Sequence, residues 1–273
     1  MSIDHVLKLY SKTIQSSFLH YGFWDDPENV DLSTLSLQDI KNAQYRYIDH
    51  LASFIPLETK TILDVGCGIG GNTSFLLKKG YSLEALSPDS YQKSVIMKKF
   101  NQDVTFHHCK FEDFTPGTFF DLILESESVC YIDIDKGFKK AREVLRKGGY
   151  VLASDYFVFF KDNSKSLHFK SSHDMDTYLK SAKENGFDLI KQYDQTDNTM
   201  LTLDYANYLV ERFINPTIDY GVYSANKNFP KISKIIGLFI AKKWKKKQNQ
   251  LDLINSDLFR KYRKYMIYLF QKI

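Results

Sequence analysis

The sequence has few cysteines and no long apolar run. Its three cysteines, Cys67, Cys109 and Cys130, stand apart with no CxxC pair. That argues against a disulfide framework and a structural zinc site, and it fits a reducing cytoplasm. No stretch reaches the ~20 apolar residues of a membrane-spanning helix. The opening residues, MSIDHVLKLYSKTIQ, carry polar residues throughout their length and lack the unbroken apolar core of a signal peptide, so a cytoplasmic chain is expected. There is no repeat and no low-complexity linker. Charge is nearly balanced: 37 basic against 33 acidic residues leave +4, too little to imply nucleic-acid binding by itself. No (N/D)PPY-type loop and no dedicated RNA-binding appendage occurs, so no nucleic-acid partner is expected.

What is present is an ordinary globular composition of 273 residues, long enough for one large domain with a cap. Aromatic residues reach 15%, which suits an aromatic-lined pocket, although large cores use aromatics too.

Residues 2–19 carry apolar side chains at helical spacing, and HYGFWDDPENVD breaks that pattern. A second helix is expected over Ser36–Phe54, with Ser36 as N-cap and Asp39 in its first turn. Strands are expected at Thr61–Val65, Tyr81–Leu86, Val104–His107, Phe119–Leu124 and Tyr150–Ala153. Helices are expected to about Lys79, from Ser87-Pro88 to Phe100, and over Ile134–Arg146. This alternation predicts an α/β fold with a doubly wound, mostly parallel sheet of seven strands. Residues 172–186 read as helix and Phe187–Tyr193 as strand. Residues 200–260 read as mostly helical, broken near Pro216 and at Phe229-Pro230, and Tyr265–Phe270 reads as a strand returning to the sheet edge. The expected organisation is one domain: an N-terminal helical cap at 1–54, a core at 55–194, a helical cap insertion at 195–260 and a final strand within 261–273.

The centre of the pattern is Thr61–Gly71, TILDVGCGIGG, a short buried strand running into four glycines within six residues and then a helix. Glycine turns of this kind let a ligand lie against bare backbone at a helix start. A Walker loop needs Gly-Lys-Ser/Thr, but Asn72 and Thr73 follow Gly71. The dinucleotide spacing G-x-G-x-x-G is met by Gly66, Gly68 and Gly71. Asp64 opposes that reading, because a carboxylate at the strand end repels a pyrophosphate and welcomes an ammonium group.

LDVGCGxGG resembles the first motif of the class I S-adenosylmethionine-dependent methyltransferases. Four more segments resemble the small-molecule branch of tocopherol, sarcosine and sterol-type enzymes. They are His20-Tyr21-Gly22-Phe23-Trp24, Leu86-Ser87-Pro88, Glu127-Ser128-Val129-Cys130-Tyr131 and Ala141–Tyr150. The resemblance implies a Rossmann-like methyltransferase fold. The implied cofactor is S-adenosyl-L-methionine, which leaves as S-adenosyl-L-homocysteine. It also implies roles. Asp64, Gly66, Cys67 and Gly68 would hold the methionine part, Leu86 and Ser87 the ribose, and Phe111 the adenine. Tyr21 and Trp24 would close over the cofactor. Glu127 would face the methyl-transfer centre, with Tyr131 beside it as the second catalytic candidate. No metal is implied.

Some positions depart from the branch. Ala85 stands where many class I enzymes have a ribose-binding acid, which the small-molecule branch also lacks, and Ser90 stands where that branch often has Gln. Lys110 stands where an Asp commonly accepts the adenine amino group, and a lysine cannot accept a hydrogen bond. Tyr131 replaces a His that can serve as base, and a tyrosine with pKa about 10 is a poor base near neutrality.

Simpler readings stand beside these. Asp64 could cap the following turn, and Glu127 could satisfy a helix dipole. Tyr131 and Cys130 read better as pocket wall than as catalysts, and His20 as a turn residue. His107 and His108 alternate across a strand, so a shared metal site is not expected. Residues 227–247 carry an Ile/Phe stripe ending in Lys242-Lys243-Trp244-Lys245-Lys246-Lys247. Cations at a helix C-terminus are the preferred reading. The alternative is a helix lying on an anionic membrane or gripping an acidic or phosphorylated substrate.

The function expected is methyl transfer to a small apolar, aromatic or lipid-like acceptor at O, N or C. Two alternatives remain: a lipid-modifying enzyme at the membrane surface, related to cyclopropane-forming enzymes, and an S-adenosylmethionine-binding protein without transferase activity.

Overall fold

The computed structural model describes residues 13–159, 173–228 and 255–273. The first expected helix lies mostly outside these residues, as does the lysine-rich run. Helix α1 (Leu37–Ala52) precedes the sheet. Ser36 accepts the Asp39 N–H while the Asp39 carboxylate accepts the Ser36 N–H, so two otherwise orphaned donors are satisfied. Ile40, Ala43, Tyr47, Ile48 and Leu51 recur at three- and four-residue intervals, and all are buried.

The core then alternates β1 (Thr61–Val65), α2 (Gly71–Lys78), β2 (Ser82–Leu86), α3 (Ser90–Phe100), β3 (Thr105–His107), β4 (Phe120–Ser126), α4 (Ile134–Val144) and β5 (Leu145–Val158). It continues through the two-residue β6 (His173–Asp174), α5 (Met175–Glu184), β7 (Phe187–Asp194), α6 (Thr196–Leu209), α7 (Asn215–Asn228), α8 (Ser256–Tyr262) and β8 (Arg263–Lys272). The strand order is β3-β2-β1-β4-β5-β8-β7, with β6 paired to β5 off this path. Strands β1 to β5 run parallel, and β8 is antiparallel to both neighbours. The seven-strand doubly wound sheet expected from the sequence is observed, with β6 added, but the last strand does not return to the edge: β8 inserts between β5 and β7, and β7 is the edge strand.

Both faces of the sheet are covered, which is why Leu122, Ile123 and Leu124 can be apolar in succession. Alternation sends Leu63, Val65, Ile123 and Val151 towards α4 and α5, where they meet Phe138, Ala141 and Tyr178. It sends Ile62, Leu122, Leu124 and Leu152 towards α1, α2 and α6, where they meet Tyr47, Phe75 and Met200. Strand β8 splits the same way, with Tyr265 and Ile267 on one face and Tyr268 and Phe270 on the other.

Three local expectations are corrected. Ser87-Pro88 does not open α3: Asp89 is the N-cap, accepting the Gln92 N–H, while Ser87 accepts the Asp89 N–H to close the preceding turn. The carboxylate two residues on competes better for the orphan donors. Strand β5 is far longer than Tyr150–Ala153: before it, Gly148, at φ 73°, lets the chain bulge and still pair with β4, and beyond it Ser154 to Val158 continue by pairing with β8. Pro216 does not break the helix. A π turn at Val210–Ile214 precedes it, and the Asn215 N–H bonds the Val210 carbonyl five residues back. The wider turn relieves the clash a proline ring makes with the preceding turn, so α6 runs on into α7.

Sequence order reverses at β1, with β2 on one side and β4 on the other. In open α/β sheets the crevice beyond the carboxyl ends of the strands at such a point is where ligands bind.

Candidate active site

A cavity of about 510 Å³ opens at that crevice. Its floor is the glycine loop, Val65 to Ile69, with Gly71 and Asn72. One flank is Leu86 to Asp89 and Gln92, and its far end is Lys110 to Glu112. The opposite wall is Ser126 to Ser128, Tyr131, Ile132 and Tyr156, and Ser17 to His20 cross it as a strap.

The glycines are required by close packing as much as by a ligand. Gly66 sits at φ 74°, and a Cβ there would lie 2.4 Å from Ser128 Cβ. At Gly71 a Cβ would lie 2.4 Å from the Ser17 carbonyl oxygen, so the strap itself passes over bare backbone. Gln44, fully buried on α1, holds the strap by donating to the Phe18 and His20 carbonyls at 3.2 and 2.8 Å. His20 is also buried, which pushes its imidazole down to about 4, so the ring is neutral at pH 7. Its Nδ1 lies 2.8 Å from the Tyr21 carbonyl and its Nε2 lies 3.0 Å from the Asn72 amide. The ring stacks on Tyr47 at 4.0 Å.

The structure brings Gly66, Cys67, Gly68, Leu86, Ser87, Phe111, Glu127 and Tyr131 to this one cavity. Tyr131 sits at its mouth, 72% exposed. Asp64, Tyr21 and Trp24 are not on the wall. Asp64 lies beneath the loop, 1% exposed, where the Thr73 hydroxyl donates to its Oδ2 at 2.7 Å. Tyr21 turns its ring towards Tyr265, with centroids 5.7 Å apart. Trp24 packs against α6: its indole N–H donates to Thr202 Oγ1 at 3.2 Å and its carbonyl accepts from the Asn198 amide at 2.9 Å. Both aromatic residues therefore fasten the strap to the body. His107 pairs with Glu84, and His108 reaches the Pro88 carbonyl. Among the described residues no group of three His, Cys, Asp or Glu could hold a metal ion.

Glu127 is the most constrained side chain of the wall. It follows β4 at φ 51°, a left-handed conformation uncommon for a non-glycine residue and found at functional sites. Its Oε1 accepts the Tyr21 N–H at 2.7 Å and the Tyr265 hydroxyl at 2.6 Å. The Tyr265 hydroxyl is 3.1 Å from that of Tyr47, which is 2.7 Å from Ser154 Oγ. Gln195 donates to the same Ser154 oxygen at 2.9 Å. A buried polar chain from four elements thus ends on one carboxylate.

Reading the sequence missed Tyr265, Tyr156, Ser126, Asn72 and the strap residues. Of these only His20 lies in a motif, where it reads as a turn residue, and the Ser17–His20 crossing has one further signal, the run of glycines it must pass.

Burial raises the pKa of four carboxyl groups here. Asp64 is pushed to about 6, Asp155 to about 7, and Glu125 and Glu127 to about 8. The folded chain therefore keeps protons that the unfolded chain has lost, and these groups lower stability as pH rises from about 4 to about 8. Thermal unfolding is expected to come earlier at pH 8 than at pH 5. A midpoint that rises over that interval would contradict the burial described.

Comparison with known proteins agrees with this geometry. Residues 63–153 match the methyltransferase domain family. Those residues form a methyltransferase domain of the class I S-adenosylmethionine-dependent type. The matched stretch runs from inside β1 to the middle of β5, so it contains the glycine loop, Phe111 and Glu127. A relative in sequence is phthiotriol/phenolphthiotriol dimycocerosates methyltransferase 1 of Mycobacterium ulcerans, 28% identical over 149 residues. That alignment covers 51% of this chain, and the chain spans about half of that relative, 53%. Among solved structures, geranyl diphosphate C-methyltransferase from Streptomyces coelicolor A3(2), in complex with Mg2+, geranyl diphosphate and S-adenosyl-L-homocysteine, superposes with a TM-score of 0.65. It is 15% identical, over 93% of this chain and 89% of that one. The [4+2]-cyclase SpnF superposes with a TM-score of 0.66 at 15% identity, over 98% and 94%. The fold is shared with a cyclase, so fold alone does not assign a reaction to this chain.

Proposed function

We propose that the chain transfers the methyl group of S-adenosylmethionine to a small apolar, aromatic or lipid-like acceptor. The carrying observation is one cavity joining the glycine loop to Glu127. The residues present fit the cofactor. Bare backbone at Gly66 and Gly68 offers a flat cradle, Ser87, Asp89 and Gln92 are polar groups midway along, and Phe111 is an aromatic platform at the far end. Asp64 acts on that cradle from beneath, through Thr73 at the start of α2.

When bound, S-adenosylmethionine supplies a methyl group already activated by the sulfonium charge. The protein's part is alignment and exclusion of water. The strap Ser17–His20 covers the cavity, and Gln44 and Asn72 fix it there. Tyr156, Ile132 and Tyr131 form an apolar and aromatic wall beside Glu127, where an acceptor would lie. Tyr265 and the Tyr21 N–H hold one carboxylate oxygen, orienting Glu127 to take a proton from an acceptor O–H, N–H or C–H. A group raised to about 8 is well matched to that task near neutral pH.

The test is transfer of label from methyl-labelled S-adenosylmethionine to panels of phenols, amines, fatty acids and prenoid lipids. Methylated product from at least one panel is expected. Binding of the cofactor with no transfer to any panel would leave a cofactor-binding protein instead.

One observation favours a second reading, action at a membrane surface. Helix α7 and the π turn before it bury no side chain, and Phe213, Ile214, Tyr220 and Tyr223 are each more than half exposed. Among the described residues no helix is long and apolar enough to cross a membrane. On this reading the chain co-sediments with anionic liposomes and stops doing so when the five lysines of 242–247 are replaced. Sedimentation unchanged by that replacement would count against it.

A further inference from the structure

The far end of the cavity does not have the carboxylate at position 110 that the family resemblance implies. Lys110 is followed by a single 3-10 turn, Phe111–Asp113. Phe111 turns inward and is 2% exposed. Lys110 and Glu112 flank it in sequence, and all three line the cavity. Glu112 is anchored on one side only: its Oε1 accepts, at 3.1 Å, the N–H of Asp133, the residue that caps α4. Among the described residues its Oε2 has no hydrogen-bond partner, and the Lys110 ammonium has neither a hydrogen bond nor an ion pair.

A lysine only donates and an ionised carboxylate only accepts, so the rim presents a fixed donor next to a fixed acceptor. The adenine Watson–Crick edge is the complement: N6 carries a donor and N1 an acceptor. We propose that Lys110 and Glu112 jointly read that edge, Glu112 accepting from the N6 amino group and Lys110 donating to N1. This rests on the cofactor reading above. Where a single side chain at 110 would serve, this chain divides the task between two charged residues on either side of the Phe111 platform. Hypoxanthine inverts both positions, with an acceptor at O6 and a donor at N1, so it would face like against like. A site built from committed donors and acceptors rejects such an analogue strongly.

The experiment is calorimetric titration of the full chain with S-adenosylhomocysteine and with S-inosylhomocysteine. The unmodified chain is expected to prefer the adenosyl ligand by at least about tenfold, the worth of one charge-assisted hydrogen bond. Glu112→Ala and Lys110→Ala should each lower that preference several-fold, mainly by weakening the adenosyl ligand. Glu112→Gln keeps the anchor to Asp133 and can both donate and accept. It should lower the preference by strengthening the inosyl ligand. A preference unchanged in all three variants overturns the proposal while leaving the cofactor reading intact. Failure of the unmodified chain to bind either ligand overturns both.

Discussion

Glu127→Gln is expected to lower kcat about a hundredfold or more, the usual contribution of a positioned general base. The amide keeps the shape of the side chain, and its oxygen still accepts from the Tyr21 N–H and the Tyr265 hydroxyl. Folding and S-adenosylhomocysteine affinity should therefore change little. The distinguishing readout is the pH profile. Burial raises the Glu127 carboxyl to about 8, so activity of the unmodified chain should climb with pH as that proton is lost and level off above it. The variant should have a low and flat profile over the same range. Tyr265→Phe separates position from protonation. It removes a bond that favours the ionised form, so the rise should move to higher pH while S-adenosylhomocysteine binding persists. A Glu127→Gln variant retaining most of its kcat would mean that the sulfonium alone drives the reaction and that Glu127 only shapes the wall.

Gly66→Ala is the second large effect. Two penalties coincide at this position. The φ of 74° costs a residue with a side chain about 1 kcal/mol or more, and the added Cβ would sit 2.4 Å from Ser128 Cβ. The loop must shift, and the cradle shifts with it. S-adenosylhomocysteine affinity should fall at least about tenfold, which is 1.4 kcal/mol. The thermal midpoint should drop by several degrees. Ser128→Gly in the same chain removes the steric share but not the dihedral share, so partial recovery is expected. Full recovery would show that the φ at Gly66 carries no cost. Ser128→Gly alone sets the baseline, because it gives up the Ser128 hydroxyl's bond to the Val65 carbonyl, and no recovery relative to that baseline would show that the clash carries none.

The fold was legible where its physics is local. The buried run Thr61–Val65, the glycines after it and the β–α alternation fix a doubly wound sheet, because strand period, turn chemistry and connection length all point the same way. The N-cap at Ser36 was legible for the same reason, and the reciprocal bond from its N–H to Asp39 is added by the structure. Local competition between similar signals misled at Ser87-Pro88, where Asp89 two residues on is the better cap. It misled again at Pro216, where the π turn that accommodates the ring depends on a bond from Asn215 to Val210 that no propensity encodes.

The candidate site was half legible. Gly66, Cys67, Gly68, Leu86, Ser87, Phe111 and Glu127 come to the cavity because each ends a parallel strand or follows one, and motif order places them. Asp64 shows the limit of charge logic. Its position in sequence predicts contact with an ammonium group, but a side chain on the second-to-last residue of β1 points into the layer under the loop, where Thr73 meets it. Tyr21 and Trp24 were read as a lid, but their bonds run to Glu127, Thr202 and Asn198. Tyr265 was invisible: its hydroxyl meets Glu127 across 138 residues of chain, and only the antiparallel insertion of β8 beside β5 makes that meeting.

The most direct measurement is a structure of the chain with S-adenosylhomocysteine bound. The ligand is expected in the cavity under the Ser17–His20 strap, its amino-acid end on Gly66 to Gly68, its adenine against Phe111 and its sulfur facing Glu127. A saturated chain whose ligand lies elsewhere, or a cavity that stays free of it at millimolar concentration, would contradict the assignment of this crevice as the methyl-transfer site.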